Sequence, residues 1–180
     1  MEEVGTQIWV IGIGTVLSFV SGWLLHLLND YIKRKSILSK MYTSIISELN
    51  NTKKYLDTRK IPMLEIIPDP NDPNEKTVRV HGHSLETSSF DSMLYSGIFR
   101  DLDTDNQLKL SEIYGKIKLS NQTSARVYEM LNSDQSVSTR HLNNVQNYSI
   151  ALDKRYDEIK DEIPNILKLL NNKSKSRNCT

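Results

Sequence analysis

The run Gln7 to Leu28, QIWVIGIGTVLSFVSGWLLHLL, constrains the chain most, because its only ionisable side chain is His26. A hydrocarbon layer of roughly 30 Å is crossed by about 20 apolar residues at helical rise. The expectation is therefore a single transmembrane helix over residues 7–28. A cleaved signal peptide would need a basic leading segment, a shorter apolar core and a small-residue cleavage site. Here the chain opens Met1-Glu2-Glu3, and the run closes on Trp23-Leu24-Leu25-His26-Leu27-Leu28. Lys33, Arg34, Lys35 and Lys40 follow the run, and basic residues stay on the cytoplasmic side. Residues 1–6 are thus expected as a short extracytoplasmic N-terminus, with the remaining domain in the cytoplasm beneath a cell membrane crossed once.

Trp9 and Trp23 lie near the two ends of the run, where an indole keeps its ring apolar and its N–H wet. Gly14, Ser18 and Gly22 recur every four residues and share one helix face. Small residues at that spacing let two membrane helices approach closely, which makes a homo-oligomer through this face an expectation. The plainer reading is that Gly and Ser are common in such helices. His26 is read as interfacial rather than as part of a proton relay.

The chain has 180 residues and a formal net charge of +1. Removing the anchor leaves about 150 residues, enough for one domain with a modest core. A near-neutral balance argues against a nucleic-acid binder, which needs a basic excess on one face. The basic clusters after the span and from Lys168 to Arg177 fit anionic headgroups or topology better than DNA. Cys179, the single cysteine, cannot form an internal disulfide, which suits a reducing compartment. Sequons begin at Asn50, Asn121, Asn147, Asn172 and Asn178. They are read as chance products of an Asn- and Ser-rich composition, and they double as a topology test.

Beyond the anchor, residues 29–58 continue a helical pattern through Leu38, Met41 or Tyr42, Ile45, Leu49 and Leu56, and no Pro or Gly interrupts Trp23 to Arg59. Pro62 marks the latest stop. Residues 59–86 form a Pro-rich segment containing Pro62, Pro68, Pro70 and Pro73, read as a loop by default. The β-branched flanks Met63 to Ile67 and Thr77 to His81 make a small β-hairpin the alternative. Residues 87–170 resume as helices: a short one through Phe90, Met93 and Leu94, a long one from Thr104 to Leu131, and a last one from Ser138. In the last, Leu142, Val145, Leu152, Tyr156, Ile159, Ile163, Ile166 and Leu170 recur at heptad-like spacing, and Pro164 should kink or end the helix near Asp161 to Ile163. Residues 171–180 are expected as a disordered basic tail. The fold class is then mainly α, an antiparallel bundle of long helices behind one transmembrane helix. A continuous coiled-coil stalk is the alternative, but the Pro-rich loop and Ser133 to Ser136 favour chain reversals.

The sharpest local pattern is DLDTDNQLKLSE, Asp101 to Glu112. It resembles a calcium-binding EF-hand loop, with Asp101, Asp103, Asp105 and Glu112 at the first, third, fifth and twelfth positions and Leu108 at the eighth. It departs in Asn106 where the turn favours Gly, in Lys109 where a small oxygen donor is usual, and in Arg100 before the loop. The competing and favoured reading is a helix start, with the three aspartates capping free N–H groups and complementing the dipole. His81-Gly82-His83 with Glu86 offers too few metal ligands at recognisable spacing. Glu48, Asn51, Thr52, Asn121 and Gln122 could share a buried polar layer, though such residues usually fix register or face water. No phosphate-binding Gly-rich loop, nucleophile elbow or zinc-protease helix motif is visible, so no enzyme activity and no cofactor beyond a weakly held calcium ion is expected.

The stretch Phe90 to Asn121, FDSMLYSGIFRDLDTDNQLKLSEIYGKIKLSN, together with S-E-L-N-N-x-x-x-x-L at Ser47 to Leu56, resembles uncharacterised single-span helical proteins of archaea and bacteria. The shared features are Ser96-Gly97, the run through Leu102, Gln107 and Leu110, and Tyr114. This resemblance implies a fold and a location and no activity, and it favours the helix-start reading of Asp101 to Asp105. The sequence thus points to a membrane-anchored, non-enzymatic helical scaffold that meets the lipid bilayer and a protein partner. A calcium-responsive membrane sensor and an oligomerising membrane effector are the alternatives.

Overall fold

The computed structural model describes the backbone of residues 2–59, 63–68, 76–82, 84–132 and 139–177, and the side chains of residues 15–59, 63–67, 79–82, 84–132 and 143–171. The chain divides into two units, Met1–Lys40 and Met41–Thr180. One helix, α1 (Glu2–Thr58), contributes to both. With no helix breaker after Gly22, nothing stops it before the Thr58 hydroxyl, which donates to the carbonyls of Lys54 and Tyr55 in the last turn.

In the first unit, α1 exposes its large apolar side chains in nearly every direction. Phe19 is 78% exposed, Leu25 66% and Trp23 57%. Among the described residues no helix is long and apolar enough to cross a membrane. The side chains of residues 7–14, the first third of the expected span, lie outside the described residues, and so do the surroundings of Gly14 on the small-residue face.

The second unit is mainly helical. After α1 come the strands β1 (Leu64–Pro68) and β2 (Lys76–Val80), an antiparallel hairpin pairing Leu64 with Val80, Ile66 with Val78 and Pro68 with Lys76. The hairpin forms where a loop was the default expectation, because β-branched residues face each other across the ladder and Pro68, which has no N–H to give, stands at a strand end. The Met63 carbonyl accepts from the His81 N–H at 2.8 Å just beyond the strands. Helix α2 (Ser88–Tyr95) ends at Gly97, whose φ of +74° is the left-handed conformation that closes a helix and favours glycine. A 3-10 turn (Ile98–Asp101) leads into α3 (Thr104–Asn132), and α4 (Thr139–Arg177) completes the chain. The expected reversal at Ser133 to Ser136 lies outside the described residues.

Pro164 sits inside α4 instead of ending it. It lies on the exposed side of the helix, so the carbonyl that loses its donor can turn to water. α4 accordingly runs through Asn171 to Arg177, where a disordered tail was expected.

Helix directions follow from residue pairs. Lys116 meets Glu162 and Thr123 meets Arg155, so α3 and α4 are antiparallel as expected. Tyr42 meets Asn106, and Glu48 lies beside Tyr114, so α1 and α3 are parallel. A parallel pair needs a return path between its members. Residues 81–82 and 84–101 provide it, running back along α3 as Gly82 meets Tyr128, Leu85 meets Asn121 and Asp91 meets Lys118. The core between these elements contains the fully buried Ile45, Leu49, Leu110, Ile113, Ile117, Leu152, Ile159 and Ile163, spaced three, four or seven apart along each helix.

Candidate functional site

Polar groups concentrate where the return segment is fastened to α1 and α3. The Asn121 side chain acts like a short strand edge: its Oδ1 accepts the Leu85 N–H at 2.7 Å and its Nδ2 donates to the Leu85 carbonyl at 2.8 Å. About two turns further along α3, the Tyr128 hydroxyl donates to the Gly82 carbonyl at 2.8 Å. Gly82 is held so closely that a Cβ there would stand 2.6 Å from both the Met63 methyl and the Ser124 hydroxyl. An extended segment has no internal hydrogen-bond ladder, so its backbone groups need partners such as these side chains.

Glu48, only 3% exposed, reaches from α1 to the start of α2. Its Oε2 accepts the Ser89 N–H at 2.8 Å and the Ser88 hydroxyl at 3.3 Å. The Thr87 side chain does not cap α2. It donates instead to Asp91 at 2.9 Å, and the carboxylate from α1 takes the capping role from outside the helix. Among the described residues, Glu48 Oε1 and the Tyr114 hydroxyl are buried without a hydrogen-bond partner. Burial, and then the adjacent Glu48 carboxylate, pushes the Tyr114 phenol far above its ordinary range, so it remains protonated. The Tyr114 ring stacks on Phe90, centroids 4.2 Å apart and planes 2° from parallel. This fixes α2 against α3.

A second cluster lies at the base of the hairpin. Arg59 pairs with Asp153 of α4 and stands 4.7 Å over the Tyr156 ring. Both Asp153 oxygens also lie 3.3 Å from the Met63 N–H. Burial raises Tyr156 to about 12, with the nearby Tyr55 adding to the rise and the Arg59 guanidinium opposing it. Asp57 is held below the usual carboxylate range by Lys53 and Lys160, and Asp91 likewise by Lys118.

The four acids of the EF-hand-like stretch are not gathered around a common point. Asp103 caps α3, its Oδ1 accepting the Asn106 N–H at 3.1 Å and its Oδ2 the Asn106 side-chain amide at 2.8 Å. Asp105 pairs with Lys109 at 4.0 Å and Glu112 with Lys116 at 3.5 Å, each one helical turn away. Asp101 closes the 3-10 turn. Among the described residues no group of three or more His, Cys, Asp or Glu could hold a metal ion. The reason is conformational: helix begins at Thr104, so the backbone that an EF-hand loop would wrap round a cation is wound into α3. Asn106, at the place of the loop glycine, is buried and bonded to the Tyr42 hydroxyl at 3.2 Å. His81 lies 3.2 Å from Glu65 across the hairpin, and His83 lies outside the described residues.

Of the polar-layer residues picked out in the sequence, Glu48, Thr52 and Asn121 take buried or half-buried places, whereas Asn51 is exposed. Sequence reasoning missed Arg59, Asp153, Ser124 and Tyr128. Arg59 and Asp153 are 94 positions apart, and no local pattern links them. Gly82 was the one available signal, a glycine at the point where the return segment leaves the hairpin. Chemically these arrangements fasten backbone and stop helices. No family model, curated protein or solved structure matches this chain.

Proposed function

We propose that the chain is a non-enzymatic scaffold in which the apolar part of α1 is seated in a lipid bilayer and the second unit offers a helical surface to a protein partner. One observation carries this reading: apolar side chains from Val16 to Ile32 are exposed on most of the circumference of α1. At 100° per residue they fill a broad arc, leaving a narrow stripe through Thr15, Ser18, Gly22 and His26. A helix with so wide an apolar arc requires a solvent that covers it from many sides, and hydrocarbon does so. The sequence run begins at Gln7, ahead of the described side chains, and reaches membrane length when taken from there.

The test is alkaline carbonate extraction of membranes carrying the full chain, with glycosylation read in the same preparation. The chain should stay in the pellet, and the exposed Asn50 and Asn147 should remain unglycosylated because the second unit faces the cytoplasm. Release into the supernatant overturns the anchor, and sugar on either asparagine overturns the orientation. Self-association through Ser18 and Gly22 belongs to the same reading. A Cβ at Gly22 meets nothing within 4 Å, so Gly22→Ile should leave the single chain intact while lowering its oligomer size in detergent.

A further inference from the structure

Several cations of the second unit are used inside the molecule. Lys53 pairs with Asp57, Lys116 with Glu112 and Glu162, Lys118 with Asp91, Lys160 with Asp57 and Arg59 with Asp153. Four others behave differently. Lys33, Arg34, Lys35 and Lys40 are all exposed, and none has an ion-pair partner among the described residues. No Asp or Glu occurs from Tyr31 to Ser47, and the nearest earlier acid, Asp30, is turned toward His26 at 3.4 Å. The cations begin one residue after the exposed Tyr31 and Ile32, where the apolar stretch of α1 ends.

We infer that this segment of α1 binds the anionic phospholipid headgroups of the leaflet from which the helix emerges. The inference rests on the bilayer reading above and names the lipid chemistry that reading leaves open. Three successive residues, 33 to 35, point about 100° apart, so their charges spread over about 200° of the helix instead of lining one narrow face. That wide spread suits a helix standing among headgroups. It suits a protein groove, which meets one face, much less well. Long Lys and Arg side chains keep their stems along apolar neighbours and carry the charge out to phosphate. Near an anionic surface each such cation changes the equilibrium by about fivefold, and salt weakens it.

The experiment compares the full wild-type chain with a variant carrying Lys33→Gln, Arg34→Gln, Lys35→Gln and Lys40→Gln. Each is reconstituted with vesicles of phosphatidylcholine alone or phosphatidylcholine mixed with phosphatidylglycerol. Flotation reports insertion, and counting the lipids retained per chain after mild extraction reports headgroup preference. The expected result is that both chains float with both vesicles, while only the wild type retains phosphatidylglycerol above its bulk proportion. The enrichment should fall several-fold in the variant and in high salt. Equal lipid composition on the two chains overturns the inference and leaves these cations a purely topological role. Should the wild type float only with the anionic mixture at low salt, the spanning anchor fails while headgroup binding stands as a peripheral contact. Flotation with neither vesicle removes both. Circular dichroism should be the same for the two chains, since the four side chains are exposed and unpaired.

Discussion

Two stretches of one helix follow opposite rules. Between Val16 and Ile32, α1 exposes Phe19, Trp23 and Leu25, whereas between Ile45 and Leu56 the same helix buries Ile45, Leu49, Thr52 and Leu56 along a single stripe. The second pattern is that of a helix with protein on one side and water on the other. The first leaves a broad apolar arc uncovered, interrupted only by the stripe through Thr15, Ser18, Gly22 and His26. Both stretches belong to one continuous helix, so the contrast between them lies in how their side chains are distributed.

The strongest way to break this comparison is to remove apolar volume from both stretches. Leu49→Ala, in the second, should lower stability by about 3 kcal/mol through lost burial and a cavity. Leu25→Ala, in the first, should leave the thermal midpoint in detergent unchanged. Far-ultraviolet circular dichroism during heating reads both. A drop with Leu25→Ala would mean that protein covers the first stretch.

A smaller effect sharpens the account of the return segment. Asn121→Ala leaves the Leu85 N–H and carbonyl without their partners and should cost about 2 kcal/mol. Amide hydrogen exchange at residues 84–90 should accelerate, with α4 protected as before. Uniform acceleration throughout the second unit would show that the segment is not separately fastened.

Alkaline titration follows. Tyr156 has a folded pKa raised to about 12 against an unfolded value near 10. A raised pKa gives stability that is complete below the unfolded value and lost as pH climbs through the folded one. Stability should therefore decline from about pH 10 to about 12, by at most about 1.4 kcal/mol per pH unit for this group. Tyr156→Phe should flatten that limb, although Tyr114 and Tyr55, also raised, will keep part of the slope. An unchanged slope would exclude Tyr156 as its source.

The mildest perturbation is Asp103→Ala. Losing the α3 cap should cost about 1 kcal/mol, identically with and without calcium. A calcium-dependent thermal midpoint in the wild type, abolished by Asp103→Ala, would restore the cation reading of the acidic stretch.

How much was legible is clearest at particular residues. The stripe through Ile45 and Leu49, the heptad-like series through Leu152, Ile159 and Ile163, and the start of α3 at its aspartates were readable, because each is set by spacing within a few residues. Pro164 was readable as a proline but not as a tolerated one, since tolerance depends on which side of α4 faces water. The parallel course of α1 and α3 could not be read, nor could the return segment that it requires. What the sequence by itself determined was which faces must leave water and where helices begin, because hydrophobic period and capping are local. What only the tertiary structure decided was who meets whom: Glu48 at the start of α2, Asn121 on Leu85, Arg59 on Asp153. Those pairings join groups 36 to 94 positions apart, and such partners are chosen by the geometry of the packed core instead of by any neighbour along the chain.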